Sequence, residues 1–194
     1  MLRQDRFMTL FVNSCVRKGS RTKRLAGILL GKLGGEIEEI NVSDITFPTV
    51  DEEFFKKRDG LIASNKWDDP LFKYARQFAE ADQIVIAAPY WDLSFPAALK
   101  QYFEQINVIG ITFEYSPEGT PISKCRAEKL YYVTTAGGTF VPEDYGFGYV
   151  KALAQGFYGI QDVRLIKATG LDIYGADVEG IMQDAIASID SVLQ

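Results

Sequence analysis

Short runs of branched and aromatic residues alternate along this chain with longer stretches in which apolar residues recur every three or four positions. The short runs lie at 7–12, 36–42, 83–88, 129–135 and 163–168, and three of them are apolar at nearly every position. A strand without a polar face must be covered on both sides, as strands of a parallel sheet are. The longer stretches read as helices. Residues 22–33 place Leu25, Ile28, Leu29 and Leu33 on one stripe, and residues 96–107 do the same with Leu99, Tyr102, Phe103 and Ile106. Pro96 stands near the start of that second helix, where a missing N–H is harmless. A last helix carries Val178, Ile181, Met182, Ala185, Ile186 and Ile189 after Asp177, a residue type that caps helix N-termini.

Repeated strand–helix units predict an α/β fold, because parallel neighbours need a crossover of about a dozen residues. The expected architecture is a three-layer sandwich: a five-stranded parallel sheet in the order 2-1-3-4-5 with helices on both faces. Two segments exceed a minimal connection. Residues 43–69, with Phe54, Phe55 and Trp67, have room for an extra helix, and residues 108–127 read as an excursion with a small hairpin around 112–115. No repeat, low-complexity tract or linker interrupts the pattern, so residues 1–194 are expected to form one domain.

Composition narrows the chemistry. The 194 residues are 47% hydrophobic, and 21 basic against 26 acidic side chains leave a net charge of −5, which argues against a nucleic-acid partner. There is no histidine, which excludes a Ser-His-Asp triad, a Cys-His pair and histidine-ligated metals; no metal site is expected. Cys15 and Cys125 form neither a CxxC nor a disulfide framework, which suits a reducing cytoplasm. The polar start Met-Leu-Arg-Gln-Asp-Arg and the short run behind it do not make a signal-peptide core, and no stretch approaches the roughly 20 apolar residues of a membrane span.

In open α/β sheets, ligands bind beyond the carboxyl ends of the strands. After the first strand come Ser14, Gly19, Ser20, Arg21 and Thr22, with Lys18 adding positive charge, leading into a helix N-terminus where free N–H groups favour an anion. The segment is neither GxxxxGK[ST] nor GxGxxG, and helix capping by Ser20 accounts for these residues equally well. After the third strand comes Pro89-Tyr90-Trp91-Asp92-Leu93-Ser94-Phe95-Pro96. Adjacent aromatics on a stiff loop offer flat apolar surface to a planar ring, or else roof the core. After the fourth come Thr135, Ala136, Gly137 and Gly138, whose glycines permit close backbone approach or simply a turn.

These residues resemble those of the FMN-dependent NAD(P)H oxidoreductases of flavodoxin-like fold, the family that includes azoreductases and quinone reductases. The match is carried by Ile86-Ala87-Ala88-Pro89-Tyr90-Trp91-Asp92-Leu93, by Leu99-Lys100-Gln101-Tyr102-Phe103-Glu104, and by Gly110-Ile111-Thr112-Phe113-Glu114-Tyr115. The resemblance implies that Ser14, Ser20, Arg21 and Thr22 grip the FMN phosphate. It implies that Pro89, Tyr90, Trp91, Asp92 and Leu93 form one flavin-edge loop and Thr135, Ala136, Gly137 and Gly138 the other. Phe113 and Tyr115 fall near the substrate mouth. The chain departs from the family at Arg21, where the usual Ser-x-Ser has become Ser-Arg-Thr, at Asp92 in place of an amide, and at Ala136 in place of arginine.

A bound flavin would explain the missing histidine, since redox chemistry belongs to the cofactor and the protein positions it. The resemblance implies a ping-pong enzyme that takes hydride from NADH or NADPH and passes it through FMN to quinones, azo compounds or nitroaromatics, with no catalytic side chain, and working as a cytoplasmic homodimer. Two other readings remain at this level: a flavodoxin-like electron carrier, and a flavin-free α/β regulatory domain.

Overall fold

A computed structural model describes residues 7–194; the polar start at 1–6 lies outside the described residues. Seven strands and six helices follow one another as β1 Met8–Asn13, α1 Arg21–Leu33, β2 Glu36–Asn41, α2 Glu52–Ala63, α3 Lys73–Glu80, β3 Gln83–Ala87, α4 Ala97–Ile106, β4 Phe113–Tyr115, β5 Pro121–Ser123, β6 Lys129–Thr135, α5 Phe147–Gly156, β7 Asp162–Ala168 and α6 Val178–Leu193. Five of the strands form one sheet in the order β2-β1-β3-β6-β7, every neighbouring pair parallel. With the hairpin β4–β5 left uncounted, that is the order 2-1-3-4-5.

Strand parity divides the core. Leu10, Val12, Ile84, Ile86, Leu130 and Tyr132 face one side, against Ala75 and Phe78 of α3, Leu99, Tyr102, Phe103 and Ile106 of α4, and Val150, Leu153 and Ala154 of α5. Their chain neighbours Phe11, Val85, Ala87, Tyr131 and Val133 face the other, against Leu25, Ala26, Leu29 and Leu30 of α1 and Met182, Ala185 and Ile189 of α6. Successive side chains of a strand point to opposite faces, so runs apolar at both parities must be sandwiched. The edge strand β2, Glu-Ile-Glu-Glu-Ile-Asn, is instead mostly exposed, and its charges discourage pairing with another edge.

The helix ends follow local chemistry. Ser20 Oγ accepts from Lys23 N at 3.2 Å and opens α1, while Gly34 at φ 65° closes it. Asp51 and Asp177 cap α2 and α6 in the same way. The extra helix expected within 43–69 is α2, and the excursion at 108–127 contains the β4–β5 hairpin. Two helices, α3 and α5, are absent from the sequence pattern. They run to only 8 and 10 residues, and each shows the core a patch of two or three side chains rather than a long stripe.

Candidate active site

The chain leaves β1 through α1 to β2 on one side and comes back to β3 on the other, so the sheet order switches at β1. Loops leaving β1 and β3 therefore splay apart and open a crevice. An open cleft of about 300 Å³ lies there, at the small end of the range for ligand pockets. Its walls are Val16, Arg17, Gly19, Ser20, Arg21 and Thr22 after β1; Pro89, Tyr90 and Trp91 after β3; Thr135, Ala136 and Gly137 after β6; and Leu171 and Asp172 after β7.

The first wall is an anion cradle by construction. Helix-start N–H groups have no intrahelical acceptor. Here Ser20 N donates to Arg17 O at 3.1 Å and Lys23 N to Ser20 Oγ. The N–H groups of Arg21 and Thr22 have no acceptor among the described residues. Below them Ser14 is fully buried, its N–H extending the β1–β3 ladder to Ala87 O at 2.9 Å and its Oγ without a partner among the described residues. Thr22 and Thr135 share a buried hydroxyl–hydroxyl bond of 2.6 Å that ties α1 to the end of β6. Burial pushes the neighbouring Cys15 thiol up from its ordinary value, outweighing the Ser20 hydrogen bond and Lys23, so it stays protonated.

The second wall is rigid and apolar. Tyr90 N donates to Thr135 O at 3.0 Å, and Trp91 and Ser94 exchange backbone bonds of 3.1 and 2.7 Å around Asp92 and Leu93. Both turn residues have positive φ, 49° and 67°, the signature of a type I′ turn. The sequence offers Asp-Leu where Asn-Gly is the easy choice, so the conformation is imposed by its surroundings. Tyr90 OH reaches Pro142 O at 3.5 Å, and desolvation followed by Tyr145 holds that hydroxyl above its ordinary value, so it remains a donor.

The third wall joins two loops. Ala136 N donates to Ala168 O, Leu171 N to Ala136 O, Asp172 N to Gly137 O and Gly170 N to Gly138 O, all between 2.9 and 3.2 Å. A Cβ on Gly137 would collide with the Asp172 carboxylate, so the carboxylate's present position depends on the missing side chain. That carboxylate accepts from Arg21 Nη1 at 2.8 Å, and the same nitrogen donates to Leu171 O at 3.2 Å.

Of the residues singled out in the sequence, Ser20, Arg21, Thr22, Pro89, Tyr90, Trp91, Thr135, Ala136 and Gly137 meet on this cleft. Ser14 lies beneath it, Asp92 and Leu93 form the tip of the turn beside it, and Gly138 sits just behind Gly137. Phe113 and Tyr115 do not join them: Phe113 is buried in the hairpin, 4.7 Å from the Phe157 ring and 5.4 Å from Tyr115, which is half exposed. Val16, Arg17, Gly19, Leu171 and Asp172 line the cleft without having been proposed as site residues. The rule that ligands meet the carboxyl ends of strands, applied to β7 as well, would have pointed to Leu171 and Asp172.

Residues 8–193 match the family described as Flavodoxin-like fold. An FMN-dependent NADH:quinone oxidoreductase of Clostridium beijerinckii is 33% identical over 174 residues, 86% of this chain and 87% of that one. One of Lachnoclostridium phytofermentans is 44% identical over 154 residues, 76% of each chain. The solved azoreductase of Bacillus anthracis superposes with a TM-score of 0.79 at 22% identity, over 95% of this chain and 97% of that one. With sheet order, cleft and relatives in agreement, this chain belongs to the flavodoxin-like family of FMN-dependent NADH:quinone oxidoreductases.

Proposed function

We propose that this chain binds FMN in the cleft and takes hydride from NADH for delivery to quinones, azo compounds or nitroaromatics by a ping-pong mechanism. The observation that carries the reading is the meeting of three walls: N–H groups without acceptors at the α1 start, the Pro89–Trp91 apolar face, and the backbone of 135–137. These suit the three parts of FMN, its phosphate, its ring face and its ring edge. When bound, FMN supplies the hydride chemistry. The chain's own residues bind and orient. Ser20, Thr22 and the N–H groups of Arg21 and Thr22 take the phosphate, with Ser14 Oγ held beneath as a further hydroxyl. Pro89, Tyr90 and Trp91 cover one face of the ring, and backbone groups of the turn at Asp92–Leu93 and of Thr135 to Gly138 fix its edge. No side chain is needed as acid or base, because solvent reaches the open cleft. Phe113 and Tyr115 would reach substrate only as part of a wider mouth, with a second copy of the chain as the partner.

The test is a titration of apoprotein with FMN followed by steady-state turnover. Quenched flavin fluorescence with saturable uptake, then NADH consumption with a benzoquinone and no added protein partner, are the expected results. A preparation that ignores FMN would leave a flavin-free α/β domain, and one that binds FMN but needs a protein partner for turnover would be an electron carrier.

A further inference from the structure

The basic residues at the start of α1 are not equivalent. Lys23 Nζ bonds Glu39 at 3.0 Å, Arg24 holds Glu179 through two bonds of 2.7 and 2.6 Å, and Arg21 is bound to Asp172 and to Leu171 O. Each of these cations already has its counter-charge. Asp172 cannot readily drift from Arg21, because its own N–H is fastened to Gly137 O and its carboxylate fills the space left by the missing Cβ of Gly137. Arg17 differs. It lines the same cleft, on the turn closed by Ser20 N, and no carboxylate pairs with it among the described residues.

The Arg21–Asp172 pair carries no net charge, so an anion entering the cleft meets it as a dipole, whose field falls off faster with distance than that of a whole charge. Arg17 presents a whole charge. A planar guanidinium also matches two phosphate oxygens at once. We infer that Arg17 is the cation that selects the phosphate of the flavin, while Arg21 is a brace between the α1 start and the Leu171–Asp172 loop, held there by Asp172. This rests on the reading that FMN occupies the cleft, and it gives the charge role to Arg17 rather than to Arg21, which the family resemblance places on the phosphate. Arg21 is thereby a positioning residue: its bonds fix the cleft wall for either form of flavin.

Riboflavin, which has the ring system without the phosphate, separates the two roles. Apoprotein of the wild type, Arg17→Gln and Arg21→Gln is titrated with FMN and with riboflavin by fluorescence quenching at low and high salt. Arg17→Gln is expected to lose about tenfold in FMN affinity, the scale of one charge-assisted contact, with riboflavin unchanged. Its FMN affinity also loses part of its salt dependence, because one screened charge is gone while Lys18 remains nearby. Arg21→Gln weakens both flavins alike and preserves the preference for FMN over riboflavin. The inference is overturned if Arg17→Gln leaves FMN affinity unchanged or weakens both flavins equally, or if Arg21→Gln alone abolishes the preference. Wild-type protein that binds neither flavin overturns the reading of the cleft along with the inference. Wild-type protein that binds FMN, with Arg17→Gln indifferent, overturns the inference alone.

Discussion

Leu93 holds a conformation that its side chain disfavours. At φ 67°, next to Asp92 at 49°, it stands in the left-handed region, where a residue with a Cβ meets its own carbonyl. Asp tolerates this region better than most residues, so the departure from an amide at position 92 keeps the turn intact, whereas leucine has no such allowance. Replacing Leu93 with Asn should relieve strain and stabilise the fold by about 1 kcal/mol, the low end of the range for such outliers. Chemical denaturation at neutral pH checks it: a midpoint that rises without a change in slope is expected, and an unchanged or lower midpoint would show that Leu93 gains more from its contacts than it loses in strain. Arg17 and Asp172 belong to the same scale. Arg21 and Asp172 are 151 positions apart, and no periodicity or motif links them; only their meeting in space shows which arginine is already compensated.

Helices α1 and α6 pack side by side on one face of the sheet, and Arg24–Glu179 joins their starts across the surface. The two Arg24 bonds, then the Gln183 amide donating at 2.7 Å, hold the Glu179 carboxyl down at about 2. A carboxyl with a depressed native pKa stabilises the fold fully above its unfolded value of about 4.3 and loses that contribution as pH falls toward the native value. Glu179→Gln is therefore expected to be less stable than the wild type at pH 6, with the gap closing between about pH 4.5 and pH 2. Thermal melts across that range read it directly, and a gap independent of pH would mean that the variant acts through packing. The pair is exposed and its contribution small, as surface ion pairs are. At this scale the sequence was most legible. Periodicity marked α1, α4 and α6, each with an apolar stripe of four or more residues, whereas α3 is only 8 residues long and α5, though as long as α4, buries only Val150, Leu153 and Ala154.

On the chain segments that follow β3, β6 and β7 the molecule leaves apolar side chains in water. Trp91 is 37% exposed, Leu93 44%, Tyr145 59% and Phe140 77%, and Tyr174 is fully exposed. Scattered exposed aromatics are ordinary, but several of them on the segments whose starts build one site are what an interface with a second copy would cover. A homodimer is the expected state: light scattering behind size exclusion should give twice the mass of one chain, and Trp91→Glu together with Phe140→Glu should shift it to one. Wild-type protein that elutes as a single chain at high concentration would refute it. What the sequence determined by itself was local. Runs apolar at both parities required a covered parallel sheet, capping residues marked helix starts, and strand ends located three of the four loops, because backbone geometry and solvent contact act within a few residues. The tertiary structure decided what depends on distance through space. It brought the β7 loop into the cleft and set Phe113 apart from it. It forced two residues with side chains into a primed turn, and it paired Lys23, Arg24 and Arg21 with carboxylates while leaving Arg17 on the wall. Charge compensation falls off over ångströms, and the chain order does not record which charges end as neighbours.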